Sequence, residues 1–159
     1  MAEAANVYTI GHGLMPFAEV ARLLETAGVG MVVDVRSTPR SRRNPEFSRP
    51  GLDASCRQAE LGYRWLGDRL GGRPSDEALW RNGRPDWSAI ASGEGFAAGI
   101  TELEGLITAG PAALLCAESS PEHCHRRGLI APELELRGYH VVHILPDGSL
   151  VPNQPDLFG

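Results

Sequence analysis

Short apolar runs alternate with segments of helical periodicity along almost the whole chain, and this alternation constrains the fold more than any other feature. The apolar runs are rich in Val, Ile and aromatic residues, which is typical of strands. The segments between them repeat apolar residues at the spacing of an amphipathic helix. Strands that alternate with helices favour a parallel sheet. The sequence therefore predicts an α/β fold, with a single doubly wound, mainly parallel five-stranded sheet and helices on both faces.

The predicted elements follow one another in a regular order. We expect strands at residues 7–12, 31–35, 63–66, 112–116 and 139–145. We expect helices at 16–27, 52–61, 95–109 and 128–137, each followed by a glycine, which commonly ends a helix. Residues 68–90 contain many Gly, Pro and Asp, so they predict an irregular excursion with a short helix at 76–81.

Length and composition predict one domain over residues 1–159, with a peripheral tail from residue 146. The chain has 159 residues, of which 42% are hydrophobic, and its net charge is -5. This charge argues against non-specific binding to nucleic acid or membranes. All the basic residues are arginine, which removes lysine chemistry from consideration. An odd number of cysteines without a signal-peptide pattern predicts reduced thiols and a cytoplasmic protein.

The segment after the run Ala112–Cys116 contains the residue types that react most readily near neutral pH. Cys116 stands at the exit of the predicted strand, Glu118, Cys124 and His125 follow in a polar loop, and Arg126 begins the next helix. Ligands of α/β sheets lie outside the carboxyl ends of the strands. We therefore expect this loop to face a crevice.

Each of these side chains has a candidate role. A thiol close to a helix N-terminus and an arginine has a lowered pKa, so Cys124 or Cys116 is a candidate nucleophile. Glu118 is the candidate general base, and His125 is a candidate proton carrier. Arg126 suits an anion at the helix start. The alternative for Cys116 is a packed core thiol, because free cysteine is among the most buried residue types.

A second candidate segment is rich in arginine. Five arginines fall within residues 36–49, among prolines that exclude a helix. Arg36, Arg40 and Arg42 are candidate substrate-binding residues, because guanidinium groups bind phosphate and carboxylate in a bidentate manner. Arg73, at the exit of the third predicted strand, is a further anion contact. The alternative is a solvated basic loop.

His12 follows the first predicted strand, between two glycines that allow a close approach of a ligand to the backbone. We predict a proton carrier there, and the alternative is a turn histidine without a role. Asp34 lies inside the second predicted strand and requires a partner, because an unpaired buried carboxylate is costly. It either orients His12 or an arginine, or it forms a structural ion pair.

Three blocks of the sequence resemble the DUF488 family, a set of bacterial and archaeal domains without an established biochemical role. Residues 115–126 match the pattern Leu-Cys-Ala-Glu-x-x-Pro-Glu-x-Cys-His-Arg. Residues 9–12, Thr-Ile-Gly-His, are similar to the opening block of the family, with Gly13 in place of a serine. Residues 33–42 are similar to its second block. The resemblance spans residues 8–144, and it implies a family without implying a reaction.

The first functional hypothesis is an enzyme that acts on an anionic, phosphate-bearing substrate, either a nucleotide or a nucleic-acid fragment. A second is a non-catalytic nucleic-acid-binding module that uses residues 36–49, whose binding would weaken steeply with salt. A third is a metal site formed by Cys116, His123, Cys124 and His12. A sulfur-transfer role similar to that of rhodanese is also conceivable. The expected partner is thus an anionic small molecule or a nucleic acid, without a membrane, and the cofactor and oligomeric state stay open.

Overall fold

The structure, a computed structural model, describes residues 5–122 and 124–153. The strands are β1 (Asn6–Gly11), β2 (Met31–Asp34), β3 (Gly62–Trp65), β4 (Trp80–Arg81), β5 (Arg84–Pro85), β6 (Ala112–Cys116), β7 (His140–Ile144) and β8 (Leu150–Pro152). The helices are α1 (Phe17–Thr26), α2 (Arg49–Gln58), α3 (Gly67–Leu70), α4 (Trp87–Ala91), α5 (Glu94–Ala109) and α6 (Ala131–Leu136). A π-helical turn at Arg126–Ile130 leads directly into α6.

Six strands form the main sheet, in the order β3-β2-β6-β1-β7-β8. The neighbours from β3 to β7 are parallel, whereas β8 is antiparallel to β7. The α/β fold and the mainly parallel sheet are thus confirmed, whereas the doubly wound arrangement stays a prediction. β4 and β5 form a separate antiparallel hairpin.

The expectation of five strands is wrong, because the segment assigned to a peripheral tail contributes β8. In the turn before it, the amides of Leu145 and Gly148 donate to the carbonyls of Ser149 and Leu145, at 2.9 and 2.8 Å, and the amide of Ser149 donates to the Asp147 carboxylate at 2.9 Å. Gly148 adopts a φ of 90°, which suits a turn without a side chain. All three residues of β8 are exposed, so the strand has no alternation of apolar and polar residues that would reveal it in the sequence.

Apolar side chains cover both faces of the sheet. On one face Ile10, Val32 and Leu115 pack against α1 and α2. On the other face Val33 and Leu114 pack against α5 and α6. Adjacent residues of a strand point to opposite faces of the sheet. Because both faces are covered by apolar side chains, every residue of β6 is apolar.

The irregular excursion differs from its prediction. The helix expected at 76–81 is wrong, since only Glu77–Leu79 form a 3₁₀ turn and the following two residues enter β4. The excursion also contains α3, the β4–β5 hairpin and α4. In the described part of the chain, no helix has both the length and the apolar character needed to cross a membrane.

Candidate active site

A cleft of about 730 Å³ opens at the carboxyl edge of the sheet. β2 and β6 are adjacent there, and the segments that follow them contribute residues to the cleft from two separate parts of the chain. The cleft is lined by Arg36, Ser37, Thr38, Arg40, Gly72, Arg73, Arg84, Pro85, Trp87, Cys116, Ala117, Glu118, Cys124 and His125. The arginine-rich segment 36–49 (the arginine loop) and the segment that follows β6 and contains Glu118 and Cys124 (the cysteine loop) therefore contribute to one cavity.

Two thiols meet at this cleft. Cys116 ends β6, Cys124 immediately precedes the helical segment, and their Sγ atoms lie 3.1 Å apart. Both side chains are buried except where they face the cleft. The hydrogen bond from the Cys116 thiol lowers the pKa of Cys124, and His125 and the amide of Arg126 add to that effect. The same bond, together with burial, raises the pKa of Cys116. These opposite shifts of the two pKa values favour the thiolate at Cys124 and the thiol at Cys116.

His125 stands beside Cys124 in a fixed orientation. Its Nε2 atom lies 2.9 Å from the carbonyl oxygen of Val35, and a carbonyl only accepts, so Nε2 carries the hydrogen. The other ring nitrogen, Nδ1, lies 3.7 Å from the Cys124 Sγ atom. The imidazole packs against Gly72, where an added Cβ would lie 2.7 Å from the His125 Cβ atom. A thiol, an imidazole and a carbonyl group that orients the imidazole therefore lie together.

Arg126 lies beneath the loop and not in the wall of the cleft. The side chain is fully buried, and its guanidinium donates to the Cys116 Sγ atom and to the Ser119 carbonyl, each at 3.1 Å. Among the described residues, its Nε atom has no hydrogen-bond partner. Arg126, which was predicted to bind an anion, therefore contacts Cys116 and the backbone of the loop that follows it.

Gly11 is what allows the cysteine loop to lie so close to β1. A Cβ atom at this position would stand 1.5 Å from the Glu118 carbonyl oxygen and 2.6 Å from the Arg126 guanidinium. The amides of His12 and Gly13 donate to the carbonyls of Cys116 and Ala117 at 2.9 Å. The loop is thereby attached to the end of β1 by backbone bonds.

A buried polar network supports the floor of the cleft. Asp34 accepts two hydrogen bonds from the Arg36 guanidinium at 2.8 Å and a third from the Tyr63 hydroxyl at 2.5 Å. Arg36 is 5% exposed and Asp34 is fully buried. The indole of Trp65 donates to the Arg36 carbonyl at 2.8 Å. Asp34 therefore has the arginine partner that its burial requires.

His12 belongs to the same network and does not line the cleft. Its Nδ1 atom donates to the Gly13 carbonyl at 2.9 Å, and its Nε2 atom faces the Arg36 guanidinium at 3.3 Å. The ring stacks on Phe47 with 4.5 Å between centroids. Burial and, to a smaller extent, Arg36 lower the pKa of His12. Both ring nitrogens are engaged, and these surroundings favour the neutral form of the ring.

Exposed arginines form the outer wall of the cleft. Arg40, Arg73 and Arg84 line it, and no described carboxylate lies within ion-pair distance of any of them. The Arg73 guanidinium lies 5.1 Å from the centroid of the Trp80 ring. Arg42 is exposed but is outside the lining.

Among the lining residues outside the predicted site are Arg84, Pro85 and Trp87. They lie on the β4–β5 hairpin and at the start of α4, within the irregular excursion, where no periodicity predicts a fold. The pair of glycines before Arg73 is a sequence signal that one of the loops approaches its neighbours closely, and Gly72 does contact His125.

The hypothesis of a metal site depends partly on His123, which lies outside the described residues. Within residues 5–122 and 124–153, no three His, Cys, Asp or Glu side chains form a group suited to a metal ion. The two ring nitrogens of His12 face the Gly13 carbonyl and the Arg36 guanidinium.

Comparison with known proteins gives one match. A family model, described as a domain of unknown function, DUF488, matches residues 16–131. The matched range includes the arginine loop, Cys116, Cys124 and His125, whereas His12 lies before its first residue. No curated protein and no solved structure matches the chain.

Proposed function

Since the chain belongs to the DUF488 family, whose function is unknown, we propose a function from the site itself. The protein is an enzyme in which Cys124 attacks an anionic, phosphate-bearing substrate, either a nucleotide or a nucleic-acid fragment. One observation carries this proposal: a cysteine–histidine pair and three arginines without a described ion-pair partner line the same cleft.

The arginines are the reason to expect an anion. The chain has a net charge of -5, so Arg40, Arg73 and Arg84 in one wall are not part of a generally basic surface. Guanidinium groups bind phosphate oxygens with two parallel hydrogen bonds. A cleft of about 730 Å³ is within the range of about 300–1,000 Å³ that is typical of small-ligand sites. The charge of the wall and the volume of the cleft therefore suit a phosphate ester of moderate size.

In the proposed reaction the thiolate of Cys124 is the nucleophile. Its sulfur forms a bond to the electrophilic atom of the substrate, while the bond from that atom to the leaving group breaks. The proton that Cys124 gave up is held on Nδ1 of His125, 3.7 Å away, and passes to the leaving group. Water then attacks the covalent intermediate and releases Cys124. Glu118, an exposed carboxylate in the same wall, accepts a proton from that water.

The experiment is a turnover assay with a panel of phosphate esters that includes mononucleotides, short oligonucleotides and p-nitrophenyl phosphate. We expect Cys124→Ser and His125→Ala to lower kcat by about 100-fold or more, as is usual for a lost nucleophile or base. We expect Arg73→Ala to raise KM with a smaller change in kcat, because it removes binding. Arg57→Ala is the matched control, since this arginine is exposed on α2 and outside the cleft.

Unchanged turnover in Cys124→Ser would overturn the proposal. Binding of oligonucleotides without turnover, with an affinity that falls steeply as salt increases, would also overturn it and would favour a non-catalytic nucleic-acid-binding module.

A further inference from the structure

We infer that Cys124 and Cys116 form a reversible disulfide when Cys124 reacts with a hydroperoxide that enters the cleft. The two Sγ atoms lie 3.1 Å apart, and both residues line the cleft. The inference goes beyond the proposed reaction, because it concerns a second chemistry of the same thiols.

The positions of the two thiols in the fold suit this bond. Cys116 is fixed by its place at the end of β6, between β1 and β2. Cys124 follows after the segment 117–123, and it precedes the helical segment without belonging to a strand. A disulfide requires about 2.05 Å between sulfurs, so the two atoms need to approach by only about 1 Å.

The two sulfurs are also prepared for different roles. The thiolate form of cysteine is the one that attacks peroxide, and the surroundings of Cys124 favour its thiolate. Cys116 keeps its proton while it donates to Cys124. Once Cys124 is oxidised that acceptor is lost, and the Arg126 guanidinium, 3.1 Å from the Cys116 Sγ atom, stabilises the thiolate that Cys116 must form.

The steps balance. The Cys124 thiolate attacks one oxygen of the hydroperoxide, the O–O bond breaks, and Cys124 becomes a sulfenic acid while the other oxygen leaves as an alkoxide or hydroxide that takes a proton. Cys116 then gives up its proton, and its sulfur attacks the Cys124 sulfur. The S–O bond breaks, water leaves, and the disulfide forms. An external thiol reverses the bond by attack on one sulfur, followed by a second thiol that releases the mixed disulfide.

The disulfide removes the nucleophile that the proposed function requires, so the proposed activity stops until a thiol reductant restores the pair. This consequence rests on the proposed function, whereas formation of the bond does not. Cys56 is an internal reference for both, because it is fully buried and outside the cleft, and burial raises its pKa to about 12.

The test is to treat the reduced full-length chain with one equivalent of hydrogen peroxide, and then to count free thiols and measure the intact mass. We expect two of the three thiols to disappear, with the loss of the mass of two hydrogen atoms and a peptide that joins Cys116 to Cys124. Dithiothreitol should return all three thiols. Cys56→Ser should form the same disulfide as the wild-type chain.

Single variants separate the two steps. Cys116→Ser should stop at a sulfenic acid on Cys124, seen as one added oxygen atom and as a dimedone adduct. Cys124→Ser should leave Cys116 reduced. Thermal melts verify that each variant folds, and Cys116→Ala and Cys124→Ala replace any serine variant that does not.

Two results would overturn the inference. One is wild-type protein in which Cys124 carries oxygen while Cys116 is still free, and the other is a full thiol count after peroxide treatment. The thiol count does not depend on turnover, so it decides the inference even if no phosphate ester is a substrate. Conversely, turnover without disulfide formation would leave the proposed function intact.

Discussion

His125 donates the hydrogen on its Nε2 atom to the carbonyl oxygen of Val35, at 2.9 Å. This contact determines which ring nitrogen faces Cys124, since Nε2 is engaged by the carbonyl and Nδ1 is the nitrogen that lies 3.7 Å from the sulfur. The orientation of the base thus depends on the backbone at the end of β2.

Removal of the Cys116 thiol is expected to change the reactivity of Cys124, because this thiol donates a hydrogen bond to the Cys124 sulfur. This hydrogen bond is the strongest influence that lowers the Cys124 pKa. In Cys116→Ala we expect that pKa to rise, so that alkylation of Cys124 requires a higher pH than in the wild type. The measurement is the pH dependence of the rate of alkylation by iodoacetamide, with the modified peptide identified. Superimposable profiles for the variant and the wild type would contradict the assignment.

Asp34→Asn is expected to destabilise the fold strongly. The substitution leaves the Arg36 guanidinium buried without its carboxylate, and the loss of one member of a buried pair costs about 3–5 kcal/mol. Urea unfolding measures this loss. Glu102→Gln is the control, because its ion pairs with Arg64 and Arg69 are exposed and contribute at most about 1 kcal/mol. Equal effects of the two substitutions would contradict the structural account of the buried network.

Gly11→Ala is expected to displace the cysteine loop. The new Cβ would overlap the Glu118 carbonyl oxygen, and the obstacle is backbone that cannot rotate away. We expect lower stability in urea and slower alkylation of Cys124. The matched control is Gly105→Ala in α5, where an added Cβ meets no atom within 4 Å, and a gain of up to about 1 kcal/mol is expected. A Gly11→Ala chain with wild-type stability would show that the loop does not lie against β1.

The burial of His12 makes the free energy of unfolding dependent on pH. Because the pKa of His12 in the folded chain is lower than its ordinary value of 6.5, the unfolded chain binds more protons as the pH falls below that value. Folding stability therefore falls as the pH falls through that range, and it is regained above it. In His12→Gln we expect a weaker dependence between about pH 7.5 and pH 5.5 in urea unfolding. Parallel curves for the variant and the wild type would contradict a neutral His12.

Much of the site follows from the sequence, because parallel strands bring their carboxyl ends to one edge. Cys116 at the exit of one apolar run and Arg36 at the exit of another are expected at the same crevice on that basis alone. Both line the cleft, together with Arg40 and Arg73. Their placement required only the assignment of strands and the rule for where ligands bind.

The direction of individual side chains did not follow in the same way. Arg126 was expected to contact an anion, but the π-helical turn that begins there directs its guanidinium under the loop to Cys116. Arg84 reaches the cleft through a two-stranded hairpin in a segment without periodicity. Side-chain direction in such turns depends on tertiary contacts, which a pattern of apolar residues does not record.

The most direct test of the account is the alkylation of Cys124 by iodoacetamide at about pH 6, with and without inorganic phosphate, where an ordinary thiol of pKa about 8.5 is largely protonated. We predict rapid modification of Cys124 but not of Cys56, and a rate that phosphate lowers in the wild type but not in the Arg40→Ala, Arg73→Ala double variant. A Cys124 that reacts only near pH 8.5 or above, or a rate that phosphate leaves unchanged, would contradict the claim that a thiolate and an anion site share this cleft.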